Sequence, residues 1–224
     1  MEITGIKTST MSHRTLSLIA GVSYLIIFFA AIFGNFFALE SLMIEPMDTI
    51  NNHPEMVRAG TIAFLIAAVC DVVVAWAFKE LYKDNSLTSL STYFRIMHAG
   101  IMGVAVFALP TALKASSSAE VLEQVDTFND IWLIGLFFFG IHLILLSRII
   151  RVPRFIKFFL LLAGVMYAVD TIAHFTRSDY SDYSDVFLAL VAIPSVLGEM
   201  SFTLWLLIKG GKRSRQSNKA LSSS

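Results

Sequence analysis

Apolar residues along this chain fall into six long runs separated by short polar links. The runs cover 16–39, 59–82, 91–114, 130–150, 155–175 and 186–208. Each is close to the roughly 20 residues that a helix rising about 1.5 Å per residue needs to cross a hydrocarbon core of about 30 Å. The links leave almost no chain for a soluble domain. The pattern predicts an all-α fold, a polytopic six-transmembrane-helix bundle over 16–208. A short N-terminal segment (1–15) precedes it. A basic, Gly/Ser-rich tail (209–224) follows, read as disordered and lying against anionic headgroups. The first run comes after Lys7 and Arg14, as in a secretory signal. It exceeds the apolar core of a cleaved signal, and no small-x-small site follows, so it reads as a retained helix.

Composition agrees with the pattern. Of 224 residues, 56% are hydrophobic and 15% charged, against about a quarter charged in an ordinary soluble domain. A single cysteine, Cys70, excludes an intrachain disulfide and a cysteine cluster. The zero net charge hides a strong asymmetry. Of the 17 Lys and Arg, Arg95 lies inside a run, and Arg58, Lys114 and Arg177 fall on one side. The remaining thirteen fall on the other, which by the positive-inside rule places both termini in the cytoplasm of a cell (plasma or inner) membrane. Eleven carboxylates, from Glu40 to Asp185, make the outer links acidic. Nothing in so short a basic tail points to nucleic acid.

The chemistry sits within the runs. Asp71, Arg95, His98, His142, Asp170, His174 and Glu199 are ionisable residues at membrane depth, spread over five of the six helices. A charged group at the centre of a spanning helix costs about 2.5–3.5 kcal/mol on insertion scales, so these groups are expected to face one another inside the bundle. Helical spacing agrees. Ala163, Tyr167, Asp170 and His174 form one stripe on the fifth helix, and Ser195, Glu199 and Thr203 another on the sixth. Asp71 lies among Ala67, Ala68 and Ala75, small residues that permit close helix contact. Gly21, Tyr24, Phe28, Ala31 and Asn35 follow the same spacing on the first helix. By depth, Asp71 is near the midplane, and Arg95, His98, His142 and Glu199 lie in the inner half. Asp170 is just beyond the middle and His174 near the outer surface. Arg95 is the natural counter-charge for Asp71 or Glu199.

A metal centre would have to be assembled from separate helices, since no HExxH, HxxxH or CxxC is present. His98, His142 and Glu199 are the candidate ligands, with a His98–His142 haem pair as a variant. Pro110 and Pro194 are expected to kink the third and sixth helices. The outer link ESLMIEPMDTINNHPEM reads as a short interfacial cover. A weak internal repeat is also present. LIAGVSY (18–24) matches LLAGVMY (161–167) at all but one position when Ile and Leu are equated, and the helix after each carries one acid, Asp71 or Glu199. Parallel repeats of this kind occur among transporters.

With these residues assembled, the chain resembles a mostly bacterial integral-membrane family known as domain of unknown function 4386. The matching stretches are LIAGVSYLI, CDVVVAWAFKELYK, YFRIMHAGI, GLFFFGIHLILLSRII, LAGVMYAVDTIAHF and GEMSFTLWLLIKG, in the expected order over 14–211. The resemblance implies a six-helix protein of a bacterial inner membrane and supplies no activity. Three functions remain open from the residues. One is binding or translocation of a small ligand or protons, in a homo-oligomer if such a small chain is a transporter. Another is an intramembrane enzyme, metal-dependent or acid–base, acting on a lipid-like substrate. The third is an accessory protein whose polar groups only fix helix register.

Overall fold

A computed structural model describes residues 11–212, and no strand occurs among them. Lys7 and everything beyond Lys212 lie outside the described residues, and with them the reading of the tail. Six helices are long and apolar enough to cross a membrane: α1 (His13–Ile44), α2 (Pro54–Leu81), α3 (Thr88–Ala112), α4 (Ser118–Ile149), α5 (Arg154–Thr176) and α6 (Tyr180–Ile208). This is a multi-pass membrane protein. The helix ends have local causes. Ser12 Oγ accepts from Thr15 N at 3.0 Å to open α1. Pro54 and Pro153 supply fixed φ at the start of α2 and α5. Ser117 Oγ accepts from Glu120 N to open α4, while the Glu120 carboxylate accepts from Ser116 N at 2.6 Å.

Two boundaries differ from the hydropathy reading. The fourth helix begins at Ser118 rather than 130, because Val121, Val125 and Phe128 are buried at i, i+4 and i+7 while the stretch as a whole is polar. Counting apolar runs misses an amphipathic extension of this kind. The first helix continues through a π-helical turn (Gly34–Leu39) to Ile44. Together with a short helix at Pro46–Asn52, its end covers the far side of the bundle, burying Leu42 and Ile50 against Val57, Leu109 and Phe128.

Consecutive helices pack as neighbours, α1 on α2 through to α5 on α6, and α6 returns to α1 to close a ring. Small residues permit the closest approaches. A Cβ on Gly164 would stand 2.5 Å from Gly140 O, so these glycines let α4 and α5 touch backbone to backbone. The closure between α1 and α6 is uneven. It is made by Ser201–Ile208, while Ser184–Met200 of α6 packs on α5 instead. At the end where both termini emerge, Arg14 donates to Leu206 O at 3.2 Å, to Gly210 O at 2.9 Å and to Leu207 O. One side chain from α1 thus satisfies the carbonyls that the end of α6 leaves free.

Proline marks two further irregular helices. In α3 the helical pattern lapses at Val106–Phe107, where the ring of Pro110 displaces the carbonyl four residues earlier. In α6, Pro194 is followed at once by a π-helical turn, Val196–Met200, which carries Glu199.

Candidate functional site

Two apolar cores leave a polar layer between them. Near the termini, Phe78, Leu143, Leu146, Leu160, Phe202 and Leu206 pack together, and near the far side the cluster around Phe64 and Phe128 does the same. Arg95, fully buried, organises the layer. Its Nη2 donates to Asp71 Oδ1 at 2.5 Å and its Nη1 to Tyr24 Oη at 2.6 Å. The guanidinium also lies 4.6 Å from the centre of the Tyr24 ring and 5.2 Å from that of Phe139. Desolvation of a lone charge here would be prohibitive, and the pair with Asp71 is what makes it tolerable. Arg95 Nε is buried without a partner among the described residues, as is His174 Nδ1 at the far end of α5.

Both neighbouring histidines are oriented by protein groups. His142 Nε2 lies 3.2 Å from Arg95 Nη1, which can only donate, so Nε2 accepts. The proton then sits on Nδ1 and is donated to Ser91 O at 3.0 Å. His98 Nδ1 donates to Gly135 O at 3.0 Å, leaving Nε2 3.7 Å from Asp71 Oδ2, too long for a direct hydrogen bond.

Beside this cluster lies a cavity of about 180 Å³ lined by residues of all six helices. Tyr24, Asp71, Arg95, His98, Tyr167, Ser195 and Glu199 supply its polar wall. Ile27, Phe28, Ala31, Met102, Trp132, Leu136, Val196 and Met200 supply the apolar one. Glu199 has a single weak partner, Tyr167 Oη at 3.5 Å, and no ion pair among the described residues. Asp71 and Arg95 cancel, so Glu199 gives the cavity one uncompensated carboxyl. Phe28 and Ala31 of α1 and Ser195 and Val196 of α6 flank the stretch where those two helices do not meet. Val196, a lining residue, is 51% exposed.

Asp71, Arg95, His98, His142 and Glu199 are thus brought together, the first three and Glu199 around the cavity and His142 behind Arg95. Asp170 and His174 are not part of that group. Asp170 accepts from Tyr180 Oη at 2.8 Å, and His174 Nε2 is 2.8 Å from Asp130 Oδ1, both toward the far end of α5. One network of seven groups is therefore corrected to a central five and a peripheral pair. Beyond membrane span, Asp179 is held below the usual carboxylate range by the hydrogen bonds from Arg177.

The candidate metal set is not assembled. No three His, Cys, Asp or Glu side chains converge to hold an ion among the described residues. Both ring nitrogens of His142 are engaged by Ser91 and Arg95, so neither is free for a metal or haem iron alongside His98 and Glu199. The residues sequence reasoning left out of the site are the two tyrosines. Tyr24 and Tyr167 close the two matching heptapeptides, and both line the cavity. That shared last position was the available signal. Asp130 and Tyr180 gave none, because Asp130 opens the fourth apolar run and counts among the outer carboxylates, and Tyr180 lies in an outer link.

Residues 19–210 match the model of the family described as Domain of unknown function (DUF4386). An uncharacterized protein of Archaeoglobus fulgidus is 24% identical over 68% of this chain and 85% of its own length. No solved structure matches the chain.

Proposed function

This chain belongs to the DUF4386 family, and we propose that it binds a small ligand inside its six-helix ring, with Glu199 exchanging a proton as the ligand comes and goes. One observation carries the reading. Within a single cavity Asp71 is neutralised by Arg95, while Glu199 has no counter-charge in contact. An intramembrane carboxyl in that position holds either a proton or a cationic group, and it serves function by default. In this reading the thirteen basic residues face the cytoplasm, so that the cavity's unsealed side belongs to the outer leaflet.

The test is infrared difference spectroscopy of the reconstituted protein between acid and alkaline pH. A carboxylic-acid C=O band that titrates in the wild type and vanishes in Glu199→Gln is expected. Identical difference spectra for the two proteins would rule the proton-exchange role out.

A second reading has its own observation. With Nδ1 fixed by Gly135 O, His98 turns Nε2 to the cavity beside Asp71, an arrangement suited to a general base acting on a lipid-like substrate. Mass spectrometry of lipids incubated with wild type and His98→Gln separates the two. A product that depends on His98 would make the protein an enzyme.

A further inference from the structure

The binding reading leaves open what the ligand is, and the cavity's walls narrow the choice. Charge comes first. Glu199 contributes one negative charge with no partner, and the Arg95 charge is already committed to Asp71 and to the faces of Tyr24 and Phe139. An anion would find no free cation among the described residues lining the cavity, whereas a monocation would complete a pair. A bare proton needs no cavity, and a metal ion would need converging ligands that the site lacks.

Surface chemistry comes second. Most of the lining is apolar, and Phe28, Trp132 and Tyr167 line the cavity with no cation over their rings among the described residues. Aromatic side chains that share a cavity with one carboxylate offer an organic ammonium both its counter-charge and ring quadrupoles. A strongly hydrated cation would lose its water there for little return.

Access comes third. The ring is sealed at the terminal end by the apolar core and by Arg14, but α1 and α6 part along the stretch containing Phe28, Ala31, Ser195 and Val196. That opening faces the surrounding membrane, so the ligand reaches the cavity from within the bilayer and must itself be soluble there.

We infer that the cavity takes a lipophilic monocation, an ammonium group on an apolar body, that passes sideways between α1 and α6 and pairs with Glu199. This rests on the binding reading and adds the ligand class and route to it.

The experiment uses the full chain in lipid nanodiscs and three probes with one alkyl chain: octyltrimethylammonium, octyl sulfate and octanol. The readout is tryptophan fluorescence, with Trp132→Phe and empty nanodiscs as blanks. Octyltrimethylammonium is expected to saturate a Trp132-dependent signal, binding about tenfold or more tighter than octyl sulfate. Glu199→Gln, with folding checked by its melting, is expected to weaken the cation by a similar factor and to leave octanol unaffected. Ala31→Phe, which narrows the lateral opening, should slow association of the cation. Saturable binding of octyl sulfate or octanol as tight as the cation's, or insensitivity of the cation to Glu199→Gln, would overturn the ligand class while leaving a binding cavity intact. Absence of saturable binding by all three probes would also overturn it, and the infrared titration of Glu199 then decides separately whether the underlying reading survives.

Discussion

The two tyrosine–carboxyl arms of the cavity begin alike and end differently. LIAGVSY places Tyr24 and the following helix brings Asp71; LLAGVMY places Tyr167 and the following helix brings Glu199. Arg95 then breaks the parity. It reaches Asp71 and Tyr24 at hydrogen-bond distance, and it makes no hydrogen bond or ion pair with either member of the second arm. The first arm is consequently a closed polar unit, with its charges cancelled and its hydrogen bonds short. The second is an open one, with a long contact and a spare charge. A buried polar group that is fully partnered holds a fold in register, while one left unpartnered is affordable only where something else completes it.

The sharpest way to break this contrast is Arg95→Leu, which strands the Asp71 carboxylate in the bundle. A loss of about 3–5 kcal/mol is expected, read as a large drop in thermal stability in detergent. The double variant Asp71→Asn with Arg95→Gln should recover part of that loss. Wild-type stability in Arg95→Leu would erase the distinction between the arms. Next in size is Tyr24→Phe, which removes the acceptor of a charged hydrogen bond and should cost about 1.5–3 kcal/mol. The matching Tyr167→Phe removes only a 3.5 Å contact and should cost under about 0.5 kcal/mol. Equal losses in the two tyrosine variants would mean that the arms are energetically equivalent. Glu199→Gln should leave stability within about 1 kcal/mol of wild type, or raise it, since it discharges an uncompensated buried carboxyl. The smallest effect belongs to the surface pair. Arg177 lowers the Asp179 carboxyl, so its contribution is present at neutral pH and fades only as acid protonates it below the ordinary carboxylate range. Because the pair is solvent-exposed, that contribution is small, and Asp179→Asn should lower melting at neutral pH only slightly, with the difference vanishing in acid.

Much of the architecture was legible because membrane burial writes a coarse signal. Six apolar runs dictate six spans, and the stripes through Asp71, Tyr167 and Glu199 mark faces turned away from lipid. The path of α4 above residue 130 was hidden because its buried face alternates with Glu123 and Asp126. The partition of the ionisable residues was hidden for another reason. Asp71 and Glu199 both lie within reach of Arg95 by depth alone, and only the packing of α2 against α3 decides which carboxyl receives it. His174 is held away from the centre by Asp130, a residue that the charge count places with the outer carboxylates.

The Arg14 clasp bears on how the molecule is made. A chain threaded into the membrane from its N-terminus completes α1 long before the carbonyls of Leu206, Leu207 and Gly210 exist. Until those carbonyls are made, Arg14 has only headgroups and water to bind, and the ring has a missing seam. Its closure waits for the end of α6, so a chain cut short before Leu206 would lack the clasp whatever its first five helices had done. That makes the seam between α1 and α6 a feature that a chain carrying all of α6 has and one stopping short of it lacks.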